Sequence, residues 1–265
     1  MTTQPIRDIV LITGASGGIG ADLARIFARN GHDLVLTARN ESRLQSLADE
    51  IAATGAARPV IVALDLEIPG GADRLAEALD AKALRCKILV NNAGYGLAGK
   101  FAELSGPAQL AMIDLNVRAL TEMTARFLPD IIAARGRILN NASIASFYAG
   151  PGMAAYYATK SYVLSLSQAL GFELRGAGVT VTALCPGPTD TGFQERAGLY
   201  APVFTMMKPM DCMTVARAGY DGLMAGKSVV LPGWFNKLSA FLSSIVPRSL
   251  SMHAIGWLQD TRRHK

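Results

Sequence analysis

The chain has 265 residues, 50% of them apolar, which suits one α/β domain of ordinary size around a large core and argues against a disordered chain. The formal charge is +5, but Arg262, Arg263 and Lys265 supply three of those positives at the very end. The body is therefore nearly balanced, and nothing in it calls for nucleic acid. Cys86, Cys185 and Cys212 are odd in number and widely spaced, which points to reduced thiols in a cytoplasmic protein rather than a disulfide frame or a zinc site, so no metal is expected. The N-terminal stretch reads neither as a signal peptide nor as a transmembrane span, because its first apolar run leads straight into glycines.

The first element reads as a buried strand over residues 9–13, running into TGASGGIG (13–20) and an apolar-periodic helix over 19–30 closed by Gly31. Strand, glycine-rich turn and helix N-terminus together make a phosphate cradle. Gly14, Gly18 and Gly20 allow close backbone approach, Ser16 can donate to a phosphate, and the backbone from Gly18 through Ile19 opens the helix. A second strand over 33–37 ends in Ala38, Arg39 and Asn40. Folds that bind NAD usually set a carboxylate there for the ribose 2′-OH, whereas an arginine suits a 2′-phosphate. No acid precedes Glu41, so Arg39 favours NADP(H), with NAD(H) possible.

The alternation continues with a helix over 41–54, a strand over 60–64, a helix over 72–84 and a strand over 87–91. Regular βαβα order predicts a doubly wound parallel sheet of the Rossmann type, about seven strands with helices on both faces. The third strand ends in Asp65-Leu66 and the fourth in NNAG, residues 91–94, placing Asp65, Leu66, Asn92, Ala93 and Gly94 where such sheets bind their ligands. Asn91 is expected to pin neighbouring strands through its amide.

Residues 140–162 read NNASIASFYAGPGMAAYYATKSY, with a helix expected from about 154 to before Gly176. Tyr156 and Lys160 are four apart and so project from one helix face. A free phenol has a pKa of about 10, too high for acid/base work at neutral pH unless a neighbouring cation stabilises its anion. Ser143 adds a hydroxyl able to donate to the same carbonyl oxygen. A strand over 179–184 then leads into CPGPTDTGF (185–193), where Pro186 and Gly187 fix a sharp turn. Residues 194–210, with Tyr200, Phe204, Met206 and Met207, read as an apolar lid over substrate, and a helix over 211–225 and a strand over 228–231 complete the sheet.

In order and spacing, TGASGGIG, Asp65-Leu66, NNAG, Asn116, Ser143, the Tyr156 and Lys160 pair and Pro186-Gly187 resemble the short-chain dehydrogenase/reductase family over about residues 7–232. The resemblance implies a tetrad. Ser143 polarises a carbonyl, Tyr156 transfers the proton, Lys160 lowers the tyrosine pKa and holds the nicotinamide ribose, and Asn116 holds a water linking Lys160 to solvent. It further implies that Pro186, Gly187, Thr189 and Thr191 lie against the nicotinamide, and that Gly17 stands where NADP-preferring members often carry a basic residue. The small residues Ala154, Ala158, Ser161, Ser165 and Ala169 form a stripe corresponding to the family's subunit interface, so a homodimer or homotetramer is expected.

The expected function is NADPH-dependent reduction of a ketone or aldehyde to an alcohol, on a hydrophobic carbonyl compound such as a 3-oxoacyl chain or a steroid-like ketone. The alternative is a non-catalytic NADP(H)-binding regulatory or scaffold protein. Residues 1–232 form the dinucleotide-binding and catalytic domain in this reading. Residues 233–265 form an apolar helical extension, expected to pack on that domain in preference to peripheral contact with a membrane.

Overall fold

The computed structural model describes residues 6–193, 197 and 209–260. Seven strands form one parallel sheet: β1 (Arg7–Thr13), β2 (Leu34–Ala38), β3 (Val60–Ala63), β4 (Leu84–Asn91), β5 (Arg137–Asn141), β6 (Thr180–Leu184) and β7 (Val229–Val230). Their order is β3-β2-β1-β4-β5-β6-β7, so the chain reverses direction across the sheet between β1 and β4. Strand termini diverge at that switch point and leave a crevice beyond Thr13 and Asn91.

Both faces of the sheet are buried, which is why its strands read as nearly continuous apolar runs. Val10 and Ile12 pack with Leu23, Phe27, Leu36 and Leu44 on one side, while Ile9 and Leu11 pack with Leu75, Leu89, Phe127 and Ile138 on the other. The covering helices are α1 (Gly18–Arg29), α2 (Glu41–Ala53), α3 (Gly71–Asp80), α4 (Gly106–Ile113), α5 (Leu120–Ala133), α6 (Ala154–Glu173) and α7 (Cys212–Met224). Side-chain caps set several starts: Asn40 accepts from Arg43 N–H, Ser105 from Ala108 N–H and Asp211 from Thr214 N–H. Two further helices, α8 (Trp234–Ile245) and α9 (Arg248–Asp260), follow β7.

Two local differences from the sequence expectation have physical causes. Leu84 begins β4 instead of ending a helix, because Ala83 turns the backbone at φ 52° and Leu84 then pairs in register with Arg7. Between the fourth strand and Asn116 lies α4, started by the Ser105 cap and Pro107, and joined to α5 by a π-helical turn over Asp114–Ala119. Asn116 stands inside that turn, a geometry frequent at functional sites.

Candidate active site

The glycine turn is held from below by the fourth strand. Asn92 Nδ2 donates to the carbonyls of Thr13 and Gly14 at 3.0 and 3.1 Å, while Thr13 Oγ1 accepts from the N–H groups of Asn92 and Ala93, each at 3.0 Å. Asn92 is thus a brace under the turn, and Thr13 is a second brace that the sequence reading did not single out. Gly14 and Gly18 adopt φ of +64° and +55°, the left-handed region that favours glycine. A Cβ on Gly14 would lie 2.8 Å from Ala93 Cα, and one on Gly20 would collide with Asn92 Nδ2 and Gly14 O, whereas one on Gly17 would meet nothing within 4 Å. The turn is therefore packed tightly underneath and open above, with the N-terminus of α1 free of any side-chain cap or first-turn acid. Such a cradle fits an anionic diphosphate.

The switch point brings the expected tetrad together. Ser143 follows β5 and starts a short 3₁₀ turn over Ile144–Phe147 by accepting from Ala145 N–H at 3.1 Å. Tyr156 and Lys160 are buried on one face of α6, as the four-residue spacing requires. Burial pushes the Tyr156 phenol above its ordinary pKa, and a hydrogen bond with Ser143 pulls it part of the way back. Burial likewise pushes the Lys160 ammonium down, to about 8.

Lys160 Nζ donates to the Asn141 carbonyl at 2.7 Å and lies 5.9 Å from the centre of the Tyr156 ring. Desolvation is the largest influence on the phenol, and one of the ammonium's three N–H groups is given to a backbone oxygen. Asn116 is hydrogen-bonded through both ends of its amide. Its Oδ1 accepts from Tyr95 N–H at 3.1 Å, and its Nδ2 donates to Tyr95 O at 2.9 Å and Thr159 Oγ1 at 3.1 Å.

Several groups in this network were not legible as site residues. Asn141 donates through Nδ2 to Asn92 Oδ1 at 2.9 Å, so one residue links the brace under the glycine turn to the carbonyl that holds Lys160. Phe193 packs on Tyr156 with ring centres 5.4 Å apart, and Met153 and Tyr157 complete an apolar wall. Gly96 admits that packing, since a Cβ there would lie 2.7 Å from Phe193 and 3.1 Å from Tyr156. Asn91, as expected, ties β4 to β5 through Asn140 Oδ1 at 2.9 Å.

Arg39 reaches the end of β2, but it meets carboxylates that linear reading did not bring near it. Its guanidinium pairs with Glu67 at 3.1 Å and stands 4.0 Å from Asp65. Asp65 in turn accepts from Glu67 N–H, and Leu66 is buried. An open cleft of 830 Å³ runs from Ser16, Gly17 and Gly18 to Ser42 and Arg43 on α2; Arg25 and Arg43 are the cations on its wall, and Arg25 is already paired with Asp22 and Glu50. Thr191 also lines that cleft, its Cβ 3.2 Å from where Gly18 would carry one.

Beyond β6, Ile144 N–H donates to Pro186 O, and Thr189 Oγ1 donates to Gly187 O at 3.0 Å. Gly187 meets α8 instead of open space, for a Cβ there would lie 2.6 Å from the Asn236 amide. The lid expected over 194–210, with Tyr200, Phe204, Met206 and Met207, lies outside the described residues except for Ala197, Pro209 and Met210. In the small-residue stripe of α6, Ala154, Ala158, Ser165 and Ala169 are exposed, and Ser161 Oγ donates to Ser146 O and Tyr157 O.

Comparison with known proteins agrees with this architecture. The family model described as short chain dehydrogenase matches residues 8–199. Sulfoacetaldehyde reductase 2 of Chromohalobacter salexigens is 38% identical over 191 residues, 71% of this chain and 75% of that protein. A solved short-chain dehydrogenase from Sphingobium yanoikuyae in complex with NADPH is 34% identical with a TM-score of 0.80, covering 98% of each chain. A bulky-bulky ketone specific alcohol dehydrogenase from Comamonas testosteroni is 30% identical with a TM-score of 0.74, covering 91% of this chain and 94% of that one. With its parallel seven-stranded sheet and a family match over most of its length, the chain belongs to the short-chain dehydrogenase family of oxidoreductases.

Proposed function

We propose that this protein is an NADP(H)-dependent carbonyl reductase that converts a hydrophobic ketone or aldehyde to an alcohol, and runs in reverse when alcohol and oxidised cofactor dominate. The observation that carries the proposal is the burial of Ser143, Tyr156 and Lys160 together at the carboxyl end of β5, with the serine hydrogen-bonded to the phenol. Gly14, Ser16, Gly18, Ile19 and Gly20 would hold the cofactor's diphosphate, and Asp65, Leu66, Ala93 and Gly94 would flank its adenosine half and ribose. Pro186, Gly187, Thr189 and Thr191 would sit toward the nicotinamide, with Arg39 and Arg43 as the cations for a 2′-phosphate. The reduced nicotinamide supplies the hydride that the carbonyl carbon accepts.

The chain's own groups do the rest. A phenol whose pKa is held high by burial is fully protonated at neutral pH, so Tyr156 stands as a proton donor for the carbonyl oxygen. Ser143, whose Oγ accepts from Ala145 N–H, gives its own proton to the phenol oxygen in the free enzyme and would turn it to the carbonyl oxygen of a bound substrate as charge builds there. The Lys160 ammonium raises the local positive potential and favours the tyrosine anion, the form that takes up the proton when alcohol is oxidised. Asn116 fixes the Tyr95 backbone and Thr159, and so sets the position of α6 relative to the π turn. The apolar wall of Phe193, Met153 and Tyr157 supports a hydrophobic substrate and keeps water from the reacting carbonyl.

Oxidation of NADPH with a panel of ketones tests the reading in the parent, Tyr156→Phe and Ser143→Ala. Carbonyl-dependent turnover should fall by about 10²–10⁴-fold in Tyr156→Phe, while NADPH binding followed by fluorescence persists. Binding without carbonyl-dependent oxidation in the parent would instead favour a regulatory NADP(H)-binding protein.

A further inference from the structure

Helix α8 turns its apolar side away from the body of the protein. On α8 the residues turned to the body are small or polar. Asn236 Nδ2 donates to Pro232 O at 2.7 Å and abuts Gly187, the Tyr148 hydroxyl binds Ser239, and Ala240 is buried. The outward face carries Trp234, Phe235, Leu238, Phe241, Leu242 and Ile245, with Trp234 75% exposed and Ile245 63% exposed. Their spacing is one helical stripe. Leu250 and Met252 extend exposed apolar surface onto α9. Such a contiguous patch marks a contact surface, not ordinary scatter of apolar residues.

Charge selects the occupant. Helices α8 and α9 hold Lys237 and Arg248 against one acid, Asp260 at the end of α9, and the sequence after Asp260 adds Arg262, Arg263 and Lys265. A symmetric pairing of two copies through this face would double an uncompensated positive charge, whereas an anionic surface neutralises it. Tryptophan and phenylalanine beside leucine, with lysine and arginine around them, is the composition of helices that lie in a lipid headgroup layer. No described helix is long and apolar enough to cross a membrane, which limits the contact to the surface. We propose that the α8–α9 face docks this protein onto anionic phospholipid bilayers. The helix is fastened to Tyr148 and Gly187, within a few residues of Ser143 and of the turn after β6, so docking seats the lipid beside the catalytic end of the sheet.

Sedimentation of the full chain with phosphatidylcholine vesicles, with and without phosphatidylglycerol, tests this without reference to activity, and so independently of the proposed reaction. The expected result is binding to the anionic vesicles that is at least about tenfold weaker with neutral vesicles, with high salt, and in the double variant Trp234→Ser/Ile245→Ser. Both substituted side chains are exposed, and the circular dichroism and thermal transition of the variant should match the parent. Tryptophan emission of the parent should shift to the blue on binding. A parent that stays in the supernatant with both vesicle types, or a double variant that binds as well as the parent, overturns the proposal. So does a solution mass of two chains that falls to one in the double variant, which would assign the face to a second copy.

Discussion

Arg39 and Glu67 lie 3.1 Å apart across the ends of β2 and β3, so one of the cations proposed for a 2′-phosphate is already shared with a carboxylate. Burial raises the Glu67 pKa, Arg39 offsets part of the rise, and the neighbouring carboxylates of Asp65 and Asp114 add to it, so the net shift is upward. Arg39 itself is 62% exposed, and exposed pairs of this kind contribute about 1 kcal/mol or less. A dianionic phosphate can outcompete Glu67 for the guanidinium, at a modest cost.

Glu67→Gln should therefore raise the ratio of kcat/KM for NADPH over NADH, by about fivefold or less, the factor that corresponds to 1 kcal/mol. Arg39→Asp should lower it by about tenfold or more. Parallel steady-state kinetics with the two cofactors decide the point. An unchanged ratio in both variants would transfer the role to Arg43, and Arg43→Ala would then carry the loss.

Gly17 offers the complementary test. A Cβ there meets nothing within 4 Å, and its φ of 172° is extended backbone that any residue adopts. Gly17→Arg should fold with a stability within about 0.5 kcal/mol of the parent while strengthening preference for NADPH. Thermal unfolding and the same kinetic ratio measure both halves. A large loss of stability would mean that the turn closes over this position.

The Lys160 ammonium titrates at about 8 because it is buried, so the free enzyme should lose a catalytic cation as pH rises through that value. The kcat/KM for NADPH reports groups of the free enzyme, and its alkaline limb should fall with an apparent pKa of about 8. Lys160→Arg keeps its charge at any accessible pH and should carry that limb to higher pH, even if its rate is lower.

The same burial has a stability consequence with a definite sign. The folded pKa of Lys160 lies below its value of 10.5 in an unfolded chain, so the unfolded state binds more protons between about 8 and 10.5, and the lysine's contribution to stability improves as pH rises through that window. At pH 7 the charged amine is a burden. Lys160→Met should raise Tm by roughly 2–4 °C, the shift about 1 kcal/mol produces in a domain of this size, and should abolish turnover. The Tm difference between parent and variant should shrink as the pH is raised toward 10; a constant difference would show that the amine is not desolvated in the folded protein.

Much of this molecule was legible in one dimension because its signals are local. Buried parallel strands demand apolar runs, a phosphate turn demands glycine where φ is positive, and a helix places Tyr156 and Lys160 on one face whatever surrounds it. The order of motifs then implied the family and with it the sheet. What the linear chain could not express are meetings between residues far apart in sequence: Glu67 against Arg39, Asn141 between Asn92 and Lys160, Gly96 admitting Phe193 to Tyr156. Each is fixed by strand order and by the crossing of loops at the switch point. The balance of charge was equally hidden, since only the packed interior reveals that desolvation is the largest influence on the Tyr156 phenol. The orientation of α8 belongs to the same class. Its apolar stripe is written in the sequence, but which side of the helix meets the body was decided by Tyr148 and Gly187, two contacts that exist only once the chain has folded.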